Sequence, residues 1–113
     1  MEDLATWLDN LDATALIEAL ADDVVVEHVT TGRRIDGKDA VVGWLGELGE
    51  RSAEDRIKIL RASVDGSTIW AERLDSHLID GQWHEIPVMG VIELNADQKV
   101  ILMRDYFDPA LAL

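Results

Sequence analysis

Residues 68–94 read TIWAERLDSHLIDGQWHEIPVMGVIEL, and this stretch decides the fold. Two runs of mostly apolar residues flank Asp80-Gly81, a dipeptide typical of the two-residue turn of a β-hairpin. The pattern predicts two antiparallel strands, over residues 68–79 and 83–94. Residues that face each other in such a pair point to the same side of the sheet, so the turn also predicts which side chains lie together.

The same kind of pattern extends the sheet on both sides of the hairpin. Residues 57–64 read IKILRASV and are joined to the hairpin by an Asp-Gly turn at 65–66. Residues 100–107 read VILMRDYF and follow a polar turn that we expect to centre on residues 96–97. The second half of the chain therefore predicts a four-stranded antiparallel meander.

Three apolar patterns with helical spacing precede the meander. They are Leu4, Trp7, Leu8 and Leu11; Leu16, Ile17 and Leu20; and Val41, Val42, Trp44, Leu45 and Leu48. Between the second and third patterns, Val24–Val26 and residues 33–36 predict two short strands. Helices followed by a meander are typical of an α+β domain, with three N-terminal helices packed on a curved mixed or antiparallel sheet. We expect one domain over residues 1–113.

Composition limits the function. The chain of 113 residues is 48% hydrophobic, enough for one core, and it contains no cysteine. Its net charge of -13 disfavours nucleic acid and anionic membrane surfaces as partners. The acidic start, Met1-Glu2-Asp3, lacks the basic and apolar regions of a signal peptide, so we expect a cytoplasmic protein.

The predicted turns bring charged residues onto one apolar face. Arg73 lies opposite Val88, Asp75 shares the face of Arg73, and the turn at 96–97 puts Asp105 opposite Val88 as well. Two histidines, His77 and His84, flank this set. The other residues of the face are apolar or small, and they are Ile69, Ala71, Ile86, Gly90, Ile92, Ile101, Met103 and Phe107. Charges on a covered apolar face are costly unless they pair, which predicts an Asp–Arg–Asp cluster.

The cluster has two interpretations. It is either a structural ion-pair network that fixes the strand register, or an acid–base site. Two carboxylates held by one arginine can differ in protonation state, so that one acts as an acid and the other as a base. An apolar cone with a few convergent polar groups is also the usual form of a small-molecule site. His77 and His84 alone do not predict a metal site, because no third ligand has the required spacing.

Four segments carry a resemblance to a known family. They are Gly37-Lys38-Asp39-Ala40-Val41, Glu72-Arg73-Leu74-Asp75, Val88-Met89-Gly90-Val91 and Arg104-Asp105-Tyr106-Phe107-Asp108. With them, most of residues 24–108 resembles the limonene-epoxide-hydrolase family of the NTF2-like (SnoaL-like) superfamily. The resemblance implies a cone of helices on a curved sheet. It also implies a hydrolase that adds water to a small apolar epoxide and needs neither metal nor cofactor.

The resemblance assigns roles to the cluster. Asp105 would be the base that takes a proton from water, Asp75 the acid that protonates the epoxide oxygen, and Arg73 the bridge between them. Other side chains on the same face are expected to bind the substrate, and they are Ile86, Val88, Met103 and Phe107. In the family a tryptophan usually stands where this chain has Met103.

The water site departs from the family pattern. The family usually holds the water with a tyrosine and an asparagine on the first strand as well. Counting back from Gly37 without a gap places Glu27 and Val29 there, and valine cannot hydrogen-bond to water. We therefore expect Glu27 or His28 to replace those groups.

Other functions remain open from the sequence. One is an isomerase or cyclase of the ketosteroid-isomerase or SnoaL type, with Glu27 or His28 as the base and protonated Asp75 as a donor. Such an enzyme includes one that opens an epoxide with an internal hydroxyl. Another is a non-catalytic module that binds a small molecule.

The alternate face of the hairpin predicts a homodimer. Trp70, Leu74 and Leu78 lie on that face with Met89 and Val91, and so apolar a surface on a small domain needs cover. Light scattering at micromolar concentration should give twice the mass of the chain. A monomeric mass at that concentration would contradict the prediction.

Overall fold

The computed structural model describes residues 13–111, and a six-stranded sheet forms its centre. In chain order, the elements are helix α1 (Ala13–Ala19), strands β1 (Leu20–His28) and β2 (Arg33–Asp36), helix α2 (Lys38–Arg51), strands β3 (Glu54–Asp65), β4 (Thr68–Ile79), β5 (Gln82–Leu94) and β6 (Val100–Phe107), and a 3-10 turn (Pro109–Leu111). The strand order in the sheet is β2-β1-β6-β5-β4-β3. Only the β1–β6 pair is parallel, so the sheet is mixed. The predicted α+β class is confirmed.

The central hairpin forms in the predicted register. Asp80 and Gly81 have φ angles of 52° and 78°, both in the left-handed region that this type of two-residue turn requires. Arg73 faces Val88 across β4 and β5, as predicted from the position of the turn. The turn dipeptide alone therefore fixes the faces of two strands of 12 and 13 residues.

The register between β5 and β6 differs from the prediction by two residues. The connection is a five-residue loop, residues 95–99, in which the side-chain oxygen of Asn95 accepts hydrogen bonds from the backbone N–H groups of Asp97 (2.9 Å) and Lys99 (3.1 Å). A turn centred on residues 96–97 was therefore wrong, and Gly90 rather than Val88 faces Asp105. Because side chains alternate along a strand, a shift of two residues leaves Asp105 on the predicted face.

Two of the three predicted helices lie within the described residues. The first predicted helix, Leu4 to Leu11, lies outside the described residues. The second helix ends at Ala19, and Leu20 opens β1, four residues before the predicted start of the strand at Val24. Leu20 is buried and pairs with Val100 of β6, so tertiary pairing overrides its helical spacing. The third predicted helix forms as α2.

Strand β3 begins at Glu54, three residues before the predicted start at Ile57. Residues 54–56 are polar and lie outside the predicted strand. They pair instead with Leu78, His77 and Ser76, because β4 extends far enough to offer them partners.

The hydrophobic core fills one end of the sheet, beneath α2. Its buried members are Leu20, Val24, Val26, Val41, Ile69, Ile92, Leu94 and Val100. We call the sheet face that carries Ile69, Ile92 and Val26 the inner face, and the opposite one the outer face. No helix within residues 13–111 is long and apolar enough to cross a membrane.

Candidate active site

The site begins where the apolar rows of the inner face end. Facing residues on neighbouring strands form rows across the sheet, and the last row of the core joins Ile69, Ile92, Met103 and Val26. The next row joins Ala71, Gly90, Asp105 and His28. The row after that joins Arg73, Val88 and Phe107, and Asp75 follows with Ile86. The charged groups therefore lie directly beyond the core, where apolar side chains surround them.

Arg73 binds both carboxylates in a bidentate manner through its guanidinium group. Its Nε and Nη2 donate to the two oxygens of Asp75 at 3.1 and 2.9 Å. Its Nη1 and Nη2 donate to the two oxygens of Asp105 at 3.0 and 3.1 Å. The side chains of Arg73, Asp75 and Asp105 are 14%, 18% and 20% exposed, so these charge-assisted bonds are largely withdrawn from solvent.

Gly90 makes the contact between Arg73 and Asp105 possible. Arg73 lies on β4 and Asp105 on β6, so the guanidinium must cross β5 to reach the carboxylate. A Cβ atom on Gly90 would lie 2.5 Å from Nη1 of Arg73 and 2.8 Å from Oδ1 of Asp105. Gly90 was predicted to lie on this face, but without a role in the cluster. A glycine inside a strand was the available signal, because it often marks such a close approach.

The electrostatics of the cluster follow from one cation between two anions. Burial alone would lower the pKa of Arg73, but Asp105 and Asp75 outweigh it through charge and hydrogen bonds, and the net shift is upward. The guanidinium therefore stays charged at any pH at which the protein is folded.

The structure brings His28 to this site. His28 faces Asp105 across the parallel β1–β6 pair, and its ring makes edge contacts with Trp44 and Phe107 at centroid distances of 5.2 Å each. Half-burial lowers its pKa, Asp105 acts in the opposite direction, and the charges of Arg33 and Arg73 lower it further. The net shift is downward, so the imidazole is neutral at pH 7.

Glu27 does not join the site. It faces Arg104 in the β1–β6 pair, and alternation along the strand puts it on the outer face. Its Oε2 accepts a hydrogen bond from Nε of Arg104 at 3.2 Å, and its Oε1 lies 3.6 Å from Nη1 of Arg34. Of the two candidates on β1 for holding the water, the structure therefore brings only His28 to Asp105.

The expected apolar residues surround the cluster. Ile86 and Val88 are buried on β5, and Met103 and Phe107 lie half-buried on β6. Ile57 of β3 faces Asp75 and is 58% exposed, so β3 extends the apolar surface on the far side of the acid. A small hydrophobic molecule lying against this face would contact the carboxylates directly.

The histidines at the hairpin end form a separate arrangement. His77 and His84 face each other as predicted, and Nδ1 of His77 lies 2.7 Å from Oδ1 of Asp55. The hydroxyl of Ser52 donates to the same carboxylate at 2.6 Å. Within residues 13–111, no group of three or more histidine or acidic side chains is arranged to hold a metal ion.

The architecture identifies the broad structural class to which the protein belongs. A protein with a ketosteroid isomerase-like fold from Catenulispora acidiphila is similar in structure at a TM-score of 0.77, with 18% identity over 96% of this chain and 84% of that one. Together with the mixed sheet and its helices, such neighbours establish an NTF2-like α+β fold. A family model, the limonene-1,2-epoxide hydrolase catalytic domain, matches residues 2–112. The chain belongs to the limonene-1,2-epoxide hydrolase family.

Matches to Mycobacterium tuberculosis in sequence and in structure support that assignment. Epoxide hydrolase EphG is 34% identical over 101 residues, which are 89% of this chain and 66% of EphG, slightly under two thirds of its length. The structure of a limonene-epoxide-hydrolase-like epoxide hydrolase from the same organism has a TM-score of 0.74 and 34% identity, and the match covers 84% of this chain and 69% of that one. The structural match extends the sequence match to the fold.

Removal of the arginine tests the energetics of the cluster. Arg73→Ala leaves two carboxylates on an apolar face without their cation, and it should lower the free energy of unfolding by about 3–5 kcal/mol. The matched control is Arg61→Ala, which breaks an ion pair with Glu72 at 3.1 Å whose arginine is 85% exposed. The control should cost less than about 1 kcal/mol. Urea denaturation measures both, and equal losses would contradict the prediction.

A double-mutant cycle tests the role of Gly90. Gly90→Ala should destabilise the parent protein, because the new methyl group collides with the Arg73–Asp105 pair. In an Arg73→Ala background the same change should be neutral or stabilising, since alanine suits a strand better than glycine by about 0.5–1 kcal/mol. Gly43→Ala, with no atom within 4 Å of the added Cβ, is the control and should be neutral or stabilising in both backgrounds. If Gly90→Ala lowered the free energy of unfolding equally in both backgrounds, the Arg73–Asp105 pair would not be the cause of the destabilisation.

Proposed function

We propose that this protein is an epoxide hydrolase that adds water to a small apolar epoxide in one acid–base step, without a cofactor. The observation that carries the proposal is the pair of carboxylates held by Arg73 on an apolar face. Family membership supports epoxide hydrolysis as the general activity. The apolar side chains around the cluster, Ile86, Val88, Met103 and Phe107, favour a hydrophobic substrate.

The proposed step needs one base and one acid at the same time. The oxygen of a water molecule attacks an epoxide carbon while Asp105 takes a proton from that water. The carbon–oxygen bond of the ring breaks, and the released oxygen takes a proton from Asp75. The product is a diol, and no covalent intermediate forms. Because Arg73 hydrogen-bonds to both carboxylates, it holds the acid and the base in fixed relation to one substrate.

The proposed step requires that one carboxyl group of the pair carries a proton and that the other is ionised in the resting enzyme. The assignment of Asp75 as the acid rests on the Arg-x-Asp motif of the family.

An isomerase mechanism with Glu27 as its base is not supported, because that side chain lies on the outer face against Arg104. A cyclase that opens an epoxide with an internal hydroxyl would use the same acid and base as the hydrolase. The source of the added oxygen separates these reactions, since only hydrolysis incorporates oxygen from the solvent.

Paired substitutions test the proposed chemistry. Asp105→Asn and Asp75→Asn keep the side-chain shape but remove the base and the acid. Each should lower the hydrolysis rate by a factor of about 10²–10⁴, the usual contribution of a general acid or base. Initial rates on a panel of small apolar epoxides in ¹⁸O-water, measured beside the melting temperature, check this. If the Asp105→Asn variant hydrolysed epoxides at the rate of the parent protein, the mechanism would be refuted. A product without ¹⁸O would point to the cyclase.

We also propose that the protein is a homodimer formed through the outer face. Trp70 and Met89 are exposed there at neighbouring positions on β4 and β5, and Tyr106 of β6 continues the same surface. Aromatic residues and methionine are typical of the centre of a protein–protein interface. The outer face and the site lie on opposite sides of one sheet, so pairing through the outer face would leave the site open.

A further inference from the structure

We propose that His28 holds the attacking water for Asp105, as an uncharged partner that accepts the second hydrogen of the water. The inference rests on the proposed function and deepens it. Among the inner-face side chains of β1 and β6 within the described residues, His28 is the neutral hydrogen-bonding group beside Asp105.

The position of His28 follows from the strand pairing. His28 and Asp105 face each other in the parallel β1–β6 pair, and the backbone N–H of Val29 donates to the carbonyl of Asp105 at 3.1 Å. Both side chains therefore leave the sheet on the inner face from adjacent strands, roughly 5 Å apart at their Cα atoms. Arg73 approaches Asp105 from the opposite side, across β5. A water between His28 and Asp105 would thus avoid the guanidinium.

The hydrogen-bonding capacity of Asp105 leaves room for such a water. Each of its carboxylate oxygens accepts one hydrogen bond from Arg73, and an ionised oxygen can accept a second. A water that donates one hydrogen to Asp105 has a second hydrogen to place. An acceptor nitrogen of a neutral imidazole can take it, which leaves the lone pairs of the water oxygen free to attack carbon. An imidazolium has no acceptor and would instead bind those lone pairs.

The surroundings of His28 hold the ring in place and keep it neutral. Trp44 of α2 and Phe107 of β6 contact the ring at interplanar angles of 65° and 80°. Three charged groups act on it: Asp105 of β6, Arg73 of β4 and Arg33 of β2. Burial is the largest influence and lowers the pKa of His28; Asp105 raises it, Arg33 and Arg73 lower it further, and the net shift is downward. A ring held between two aromatic side chains loses little freedom when it binds a water.

The kinetic test compares two replacements of His28. His28→Phe keeps a ring between Trp44 and Phe107 but removes both nitrogens. It should retain the melting temperature and lower kcat roughly tenfold to a hundredfold, the loss expected for one hydrogen bond left unmade near the transition state. His28→Gln supplies an amide oxygen as acceptor and should recover part of that loss. A purely structural role for the ring would give the opposite order, with Phe tolerated and Gln not.

The pH profile gives a readout that packing does not change. In the parent protein, kcat should fall as the pH drops through the lowered pKa of His28, because protonation removes the acceptor. In His28→Phe this acid limb should move to lower pH, where only carboxyl groups titrate. The inference would be overturned if His28→Phe kept the kcat of the parent protein and its acid limb did not shift. If Asp105→Asn were inactive in the same experiment, the proposed function would remain intact. No hydrolysis by the parent protein would overturn both.

A measurement without turnover completes the test. ¹⁵N NMR of the histidine ring reports its protonation and the hydrogen bond at each nitrogen. At pH 7 we expect a neutral His28 with one acceptor nitrogen, whose signal shifts in Asp105→Asn because the shared water loses its anionic partner. An imidazolium signal at pH 7, or a signal that Asp105→Asn leaves unchanged, would refute the inference.

Discussion

The structure depends on one arginine that binds carboxylates on two strands. Arg73 reaches Asp75 on its own strand and Asp105 two strands away, and all four hydrogen bonds form on a face that is otherwise apolar. These contacts join β4 to β6 across β5. A slip of one residue would put Asp105 on the outer face and break them. The same bonds therefore favour the observed sheet alignment and bring the proposed catalytic groups together.

Stability alone does not account for such a cluster. A buried ion-pair triad often contributes less to stability than well-packed apolar side chains of the same volume. The strands around it carry Ile86, Val88 and Ile92, so apolar packing was available to this sheet. Keeping three charges there, together with a glycine that clears their path, is easier to understand if the charges react with something. The glycine and the unreplaced charges therefore favour the catalytic interpretation over the purely structural one.

The sequence predicts local features well where a single residue pair decides them. Asp80-Gly81 determines the turn, the register and therefore the shared face of Arg73 and Asp75. The loop before β6 was harder to predict, because its length depends on hydrogen bonds that the side-chain oxygen of Asn95 accepts and on Gln98 at a φ of 62°. No short motif indicates that conformation. The face of Asp105 was predicted correctly only because the error was an even number of residues.

Long-range pairing explains the remaining differences. Leu20 continues a helical pattern and has no local signal for a strand, yet its partner is Val100 at the far end of the chain. The choice between Glu27 and His28 as a site residue likewise depends on the parallel alignment of β1 with β6, which no turn connects. Once that alignment is known, alternation assigns His28 to the site and Glu27 to the outer face without further information.

The parallel contact between β1 and β6 has a consequence for how the chain folds. Until β6 is in place, β1 pairs only with the four-residue β2, and an isolated two-stranded unit is marginal in water. Val24 and Val26 would then be exposed on an unpaired edge, a surface that favours association with other chains. Closing a loop between segments so far apart is slow, and β6 must be synthesised before it can happen. Strand β6 therefore completes the edge, the core and the carboxylate cluster in one event, and a partly folded chain without it is prone to aggregate.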